Sequence, residues 1–275
     1  FSHLPISPVM LDSFIKHINS LCLYHQPSLL HSIFGLPVQD VINSLPSLLH
    51  LFDVSSCTDP FAEFLLKHAK KKNPDPKFIS SLCKCNVPVK LSQLIANQGP
   101  ATSPKVISLL AHIVLLNSKS TPELVNQAGE ILRSVFAVDL SSEAGLVIAA
   151  HFARLGSDFN DVLDKCGAFS FIEKNLRSDD KMIQARALDF IGNYWKNGSV
   201  REDVAQQLFP QIFNTLKTEK DKTVRRFAAF AIGNAIYNSP EFGWTLLKDF
   251  DVILKILDDE SVNDNSNLEI CDCAA

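Results

Sequence analysis

A repeat with a period of about 40 residues is the feature that most restricts how this chain can fold. The segment TVRRFAAFAIGNAIYN, at 223–238, has a weaker copy, MIQARALDFIGNYWKN, at 182–197. The shift that places Gly192 on Gly233 is 233 − 192 = 41. Such a period is typical of stacked helical units, because a unit of a few helices cannot bury its apolar face alone. The sequence therefore predicts an array of such units.

Apolar residues outside the copied segment recur at nearly the same interval. Shifts of 40 and then 41 align three sets at helical spacing: Phe169, Ile172 and Leu176; Phe209, Ile212 and Leu216; Phe250, Ile253 and Leu257. Upstream, Gly156 aligns with Gly198 at a shift of 42, which places His151 at the position of Asn193. Several helices therefore recur in phase, and the phase extends one unit upstream of Ser157.

The residue types favour helices that pack closely. Ala228, Ala231 and Ala235 recur at helical spacing in the copied segment, and small residues let neighbouring helices approach. The chain has only 10 glycines and 3 tyrosines, and few alternations of valine or threonine, which argues against a sheet-rich fold. The predicted fold class is all-α, a right-handed α-solenoid of helical repeats.

Charge and hydropathy exclude some classes of partner. The net charge of −4 and the isoelectric point near 6.1 give no general electrostatic attraction to nucleic acid or to an anionic membrane, although local basic patches stay open. The longest apolar run, at 109–116, is interrupted by His112 and is far shorter than the roughly 20 residues of a membrane-spanning helix. We therefore expect neither a nucleic-acid partner nor a membrane partner.

The cysteines and the first residue suggest the setting. Seven cysteines, an odd number placed in apolar helices, fit reduced core residues better than a disulfide framework, so a cytoplasmic location is expected. The Cys83-x-Cys85 and Cys271-x-Cys273 pairs lack the spacing of a zinc site, so no metal and no cofactor are expected. The chain begins with Phe1 rather than methionine, and we expect that it is part of a longer protein.

The repeat phase divides the chain into two regions. Residues 1–140 are expected to form irregular helical repeats of uncertain phase, and residues 141–275 regular repeats with a truncated last unit. Each regular unit is interpreted as three helices. In order, these are 157–166, 167–176 and 181–196; then 200–208, 209–217 and 222–237; then 240–249 and 250–257, followed by a third that is cut short within residues 267–275.

This three-helix plan resembles armadillo repeats, and AFAIGNAI at residues 229–236 is similar to the third-helix pattern of that family. The resemblance implies that Phe230 and Asn234, four residues apart, line a concave groove. The preceding unit keeps Asn193 but has Asp189 in place of the aromatic residue, and the unit before has His151 at the asparagine position. A complete aromatic-asparagine pair therefore occurs once.

A narrower resemblance is to the C-terminal armadillo region of Fused-type serine/threonine kinases, and it is specific over roughly residues 155–260. It is carried by DKTVRRFAAFAIGNAIYN at residues 221–238, supported by Ala187 and by Ile191-Gly192-Asn193. The resemblance implies a regulatory or scaffold region of a protein with an N-terminal kinase domain, and a role in Hedgehog signalling or in assembly of motile cilia. It also extends the expected location to the cilium and axoneme. The chain itself has no Gly-rich phosphate loop, catalytic loop or Asp-Phe-Gly triplet, so we expect it to be non-catalytic.

The sequence supports two hypotheses for function. In the first, the chain is a protein-interaction scaffold that binds proteins or peptides in its concave groove; in the second, it is a structural, transport or assembly solenoid of the HEAT type, unrelated to a kinase. The predicted groove residues are His151, Asp189, Asn193, Arg226, Phe230, Asn234 and Tyr237. Two alternatives to a groove role stay open. Asn193 and Asn234 could instead bond to the backbone of neighbouring helices, and Arg226 could be solvated or paired with nearby acidic residues.

Overall fold

The structure, a computed structural model, describes residues 38–71, 75–117, 122–138, 142–197 and 202–243. Helices and turns make up these ranges, with no strand in any of them. The chain separates into two compact units, Phe1–Val138 and Asp139–Ala275. The all-α prediction is confirmed for the described part of the chain.

The first unit contains seven described α-helices. They are α1 (Val38–Asn43), α2 (Leu45–Leu48), α3 (Ser55–Ala69), α4 (Pro76–Lys84), α5 (Val87–Gln98), α6 (Pro104–Leu116) and α7 (Pro122–Phe136). Helix α3 packs on α6, and α5 packs on α7. Side chains cap two of the helices that begin with proline: Asp75 accepts from the Lys77 backbone N–H, and Ser103 accepts from that of Lys105.

The second unit contains six described α-helices. They are α8 (Ser142–Leu155), α9 (Asn160–Lys165), α10 (Ala168–Leu176), α11 (Lys181–Asn197), α12 (Glu202–Thr218) and α13 (Lys222–Asn238), with short 3-10 turns at Ser157–Phe159 and Pro240–Phe242. Helix α11 packs on α8 on one side and on α13 on the other. We call α8, α11 and α13 the three-helix layer. The shared spacing of 41 or 42 residues predicts that helices at 142–156, 181–196 and 222–237 lie side by side as one layer, and this prediction is confirmed.

Small residues bring the helices of the layer together. Ala228, Ala231 and Ala235 of α13 are fully buried, as are Ala185 and Ala187 of α11. The second set of helices lies behind the layer, since α10 packs on α11 and α12 packs on α13. The apolar face that a single helical repeat cannot bury alone is thus covered by the neighbouring repeats.

Two aspartates at the same repeat position cap the N-termini of neighbouring layer helices, α11 and α13. The Asp180 carboxylate accepts hydrogen bonds from the backbone N–H groups of Met182 and Ile183, at 2.8 and 3.3 Å. The Asp221 carboxylate accepts from the Val224 N–H at 2.9 Å. Both aspartates therefore satisfy N–H groups that the first helical turn leaves without a partner.

The prediction of separate helices at 200–208 and 209–217 is wrong, because α12 runs without interruption from Glu202 to Thr218 with Pro210 inside it. In the preceding repeat the chain turns at Gly167, whose φ of +78° suits glycine. The repeat alignment puts Gln206 and Gln207 at the place of that turn, and glutamine is a good helix former. The helix therefore continues through the position where the preceding unit bends.

Some predictions fall on residues that the structure does not describe. They include the apolar segments before residue 38 and most of the expected truncated last unit, residues 240–275. Within the latter, the described Pro240–Phe242 segment forms a 3-10 turn.

Asparagines at one repeat position bridge neighbouring helices of the layer. The Asn197 Nδ2 donates to the Ala153 carbonyl of α8 at 3.1 Å, and the Asn238 Nδ2 donates to the Trp195 carbonyl of α11 at 2.7 Å. Each amide also donates to the carbonyl four residues before it, on Asn193 and Asn234 respectively. Both asparagines therefore tie the C-terminal end of one helix to the helix before it.

We predict that Asn197→Ala lowers the free energy of unfolding by about 1 kcal/mol, because the Ala153 carbonyl loses a protein donor. Chemical denaturation followed by circular dichroism measures the change. The matched control is Asn214→Ala on α12, an exposed asparagine, which should change stability by less than about 0.5 kcal/mol. Equal effects of the two substitutions would contradict the bridging role.

Glu219 links the loop before α13 to the start of α11. Its carboxylate accepts from the backbone N–H groups of Lys220 and Asp221 at 2.8 and 3.0 Å, and from the Lys181 Nζ at 2.7 Å. The backbone bond from Asp221 and the bond from Lys181 lower the pKa of Glu219 from 4.5 to about 2. The ionised carboxylate is thus the form that the fold stabilises.

We predict that Glu219→Gln costs about 0.5–1 kcal/mol of stability at pH 7. The folded-state pKa lies below the unfolded one, so this contribution is present above about pH 4.5 and is lost as the pH falls toward 2. Urea denaturation of both proteins between pH 7 and pH 2.5 measures the difference. If the difference in unfolding free energy between the two proteins stays constant over this range, the lowered pKa of Glu219 is contradicted.

Candidate functional site

A cleft opens on the three-helix layer. It has a volume of about 340 Å³ and takes residues from all three helices of the layer. Its lining residues are Arg154 from α8; Asp189, Asn193, Lys196 and Asn197 from α11; and Phe227 and Phe230 from α13. We call it the layer cleft. Three of the predicted groove residues, Asp189, Asn193 and Phe230, come together in it.

The asparagines of the third-helix pattern bond to their own helices. The Asn193 Nδ2 donates to the carbonyl and to the carboxylate Oδ1 of Asp189, at 2.7 and 2.8 Å. The Asn234 Nδ2 donates to the Phe230 carbonyl at 2.8 Å. The hydrogen bonds to neighbouring helices are made instead by Asn197 and Asn238, four residues further on. Asn193 is therefore a fixed part of the cleft wall, with 6% of its surface exposed.

Asp189 is a half-buried carboxylate among cations. Burial raises its pKa, while the charges of Arg154, Arg186 and Arg226 and the hydrogen bond from Asn193 act in the opposite direction. Arg186 also faces the Glu143 carboxylate at 3.8 Å. Asp189 lies at the repeat position that Phe230 occupies in the next repeat. Helix α11 therefore has a carboxylate where α13 has an aromatic ring.

The Phe230 ring lies directly on Gly192. A Cβ atom added at Gly192 would overlap the Cδ1 and Cε1 atoms of this ring, so glycine is required at that position for the two helices to approach. The ring is half-buried and also lines the cleft. Phe230 therefore has two roles, as packing between α11 and α13 and as the cleft wall.

The other predicted groove residues lie outside the cleft lining. His151 on α8 and Asn234 on α13 are half-buried. Arg226 is half-buried, with its guanidinium 4.9 Å from the centre of the Phe227 ring. Tyr237 has 85% of its surface exposed, whereas Trp195 is fully buried. Trp195 thus belongs to the core of the second unit.

Sequence reasoning did not single out Arg154, Lys196, Asn197 or Phe227. One signal was present for the two cations: the shift of 42 that aligns Gly156 with Gly198 also aligns Arg154 with Lys196. The shift of 41 then carries Lys196 onto Tyr237, one of the predicted groove residues. Comparison of the whole repeat position, rather than of the aromatic-asparagine pair alone, would have found both cations.

A second cleft, of about 550 Å³, lies in the first unit, between α5 and α7. Several of its polar side chains form hydrogen bonds or ion pairs, although the Gln127 Oε1 is buried without a hydrogen-bond partner. The Gln127 Nε2 donates to the Asn86 Oδ1 at 2.7 Å, and the Gln93 Nε2 donates to the Glu130 carboxylate at 3.0 Å. The Lys90 Nζ pairs with Asp53 at 2.6 Å. The layer cleft is the better candidate for a binding site, because three of the predicted groove residues line it.

The described residues offer no ready metal site. Among them, no three histidine, cysteine or acidic side chains come together in a way that could hold a metal ion. Cys57 and Cys83 are buried thiols, and Cys85 and Cys166 are half-buried thiols, all four in the reduced form. No helix within the described ranges is both long enough and apolar enough to cross a membrane.

Solved structures show which fold the chain shares. An engineered protein aligns at 17% identity over 84% of this chain and 94% of its own, with a TM-score of 0.65. A designed armadillo repeat protein in complex with the peptide (KR)4 aligns at 16% identity over 84% and 98%, with a TM-score of 0.65. Computationally designed armadillo repeat proteins for modular peptide recognition give 16% identity, 84% and 98% coverage and a TM-score of 0.58.

Comparisons by sequence give a different result, since neither the protein-family models nor the curated proteins contain a match to this chain. The likeness to solved structures at such low identity shows the fold, which is an all-α solenoid of armadillo type.

We predict that Gly192→Ala destabilises the second unit by up to about 2 kcal/mol. Overpacking against the Phe230 ring costs about 1–3 kcal/mol, and the helix propensity of alanine offsets about 1 kcal/mol of it. In a Phe230→Ala background the same substitution should become neutral or stabilising, because the ring is gone. Denaturation of the four proteins of this double-mutant cycle measures the change of sign. An equal loss in both backgrounds would show that the ring does not lie on Gly192.

Proposed function

We propose that this chain is a non-catalytic protein-interaction scaffold whose three-helix layer binds an extended peptide segment of a partner. The observation that carries the proposal is the layer cleft, to which the three neighbouring helices of the layer contribute side chains. Equivalent positions of a solenoid line up along the array, so an extended ligand meets the same kind of position in each unit.

The chemistry of the lining suits recognition of a peptide. Phe227 and Phe230 supply half-buried apolar surface at a small cost in side-chain entropy. The exposed cations Arg154 and Lys196 supply polar contacts beside them. Aromatic anchors beside a small number of polar groups are the usual composition of a peptide site.

The structural neighbours support the same kind of ligand by analogy. One designed neighbour is described in complex with a peptide, and others are described as made for modular peptide recognition. Those descriptions concern the designed proteins. For this chain the analogy of fold motivates the proposal, and the cleft residues carry it.

A finer proposal concerns the parent protein. The resemblance of residues 221–238 to Fused-type kinases leads us to propose that this region is the regulatory part of such a kinase, in the cytoplasm or in the cilium and axoneme, with a role in Hedgehog signalling or cilium assembly. Sequencing of the full transcript tests the link. A kinase domain upstream supports it, and an upstream region without one favours the HEAT-type assembly subunit.

We predict that peptides selected from a random display library on the purified chain bind the layer cleft. Phe227→Ala should weaken their binding at least fivefold, because interface aromatics contribute more than about 1 kcal/mol. Fluorescence anisotropy with labelled peptides measures the dissociation constants.

The matched control is Phe169→Ala on α10. This half-buried aromatic packs on Tyr194, with ring centres 4.9 Å apart, and does not line the cleft. It should change peptide binding less than twofold at a temperature where circular dichroism shows both variants folded. A library that yields no peptide above background, or equal losses in the two variants, would contradict the proposed function.

A further inference from the structure

The charges around the layer cleft differ in sign from those of the chain as a whole. The full chain carries a net charge of −4. Four cations lie at the cleft or around its buried carboxylate: Arg154, Arg186, Lys196 and Arg226. The arginines among them interact with two carboxylates, Asp189 and Glu143, so the four cations and two carboxylates together carry an excess of two positive charges.

Two of these cations are exposed at the mouth of the cleft. Arg154 and Lys196 are exposed side chains, and neither forms a hydrogen bond or an ion pair within 4 Å with another residue of the described part of the chain. They occupy one repeat position on neighbouring helices, as the alignment of Gly156 with Gly198 places them. The layer thus presents two cations in a row, each available to an anionic ligand.

The cleft carboxylate is poorly placed to repel such a ligand. Asp189 is half-buried, accepts a hydrogen bond from Asn193 at 2.8 Å, and is surrounded by three arginines. These neighbours therefore offset part of its charge within the protein. Arg154 and Lys196 are exposed, and their charges are offset less by other groups of the protein.

We propose that the layer cleft binds an acidic extended segment of a protein partner, with aspartate or glutamate carboxylates paired to Arg154 and Lys196. The inference rests on the proposed function and adds the charge of the ligand. Complementary charge is the observation that identifies the occupant, since it sets specificity more than raw affinity.

The spacing of the cations fits this chemistry. Packed helices lie about 8–10 Å apart, which separates one repeat position from the next by a similar distance. In an extended peptide, residues two apart point to the same side and lie about 7 Å from each other. Carboxylates at alternate positions can therefore meet Arg154 and Lys196 together, because both side chains are long and flexible.

This ligand has the opposite charge to the peptide described with one structural neighbour. A designed armadillo repeat protein is described in complex with (KR)4, a cationic peptide. Under this inference the side chains on the layer, and not the fold, determine the charge of the ligand.

The test uses two labelled octapeptides, (ED)4 and (KR)4, and the full chain, with fluorescence anisotropy at low and at high salt. We expect (ED)4 to bind, with affinity falling at the higher salt. Arg154→Ala with Lys196→Ala should weaken this binding about tenfold or more, since each exposed pair contributes up to about fivefold. Asp189→Asn should change it less than twofold, because this carboxylate is half-buried and already bonded to Asn193.

The matched control is Lys165→Ala with Lys174→Ala, which removes two exposed cations from α9 and α10 outside the cleft. It should change (ED)4 binding less than twofold. Equal loss in the two double variants would show non-specific attraction and would overturn the inference. Binding of (KR)4 in preference to (ED)4 would overturn the acidic ligand while leaving the scaffold function in place. Absence of binding by either octapeptide overturns the acidic ligand, and the display library then decides separately whether the chain binds peptides.

Discussion

The close approach of α11 and α13 depends on the contact between the Phe230 ring and Gly192. A side chain at residue 192 would occupy the space of the ring, so the distance between the two helices is fixed by the absence of a Cβ atom. Buried alanines extend the same close approach along both helices. Because the ring also forms the wall of the cleft, the packing that holds the layer together determines the shape of its binding surface.

Hydrogen bonding in the layer is divided between two asparagine positions of the repeat. Asn193 and Asn234 donate to carbonyls of their own helices, whereas Asn197 and Asn238 donate to the helix before. These amides of the layer face are therefore satisfied inside the protein, and the cations at the mouth of the cleft are the groups left to meet a ligand. This arrangement favours recognition of a partner by charge and by aromatic contact.

The repeat period was enough to predict the layer, since it placed the alanines and the Gly192 position in neighbouring helices. It did not predict the continuity of α12, because the periodic apolar residues are the same whether or not the helix bends at Gln206 and Gln207. In the cleft, the pattern found Asp189, Asn193 and Phe230 but not Arg154 or Lys196. Exposed cations are not part of the apolar pattern, so the sequence indicates them only when every residue at one repeat position is compared.

The most direct test of this account is the NMR chemical shift of the Gly192 Hα protons. If the Phe230 ring lies over this glycine, at least one of these protons is shifted far upfield by the ring current, and the shift disappears in Phe230→Leu while the protein stays folded. Gly192 Hα shifts close to random-coil values, unchanged by that substitution, would show that α11 and α13 do not pack in this register and would contradict the account.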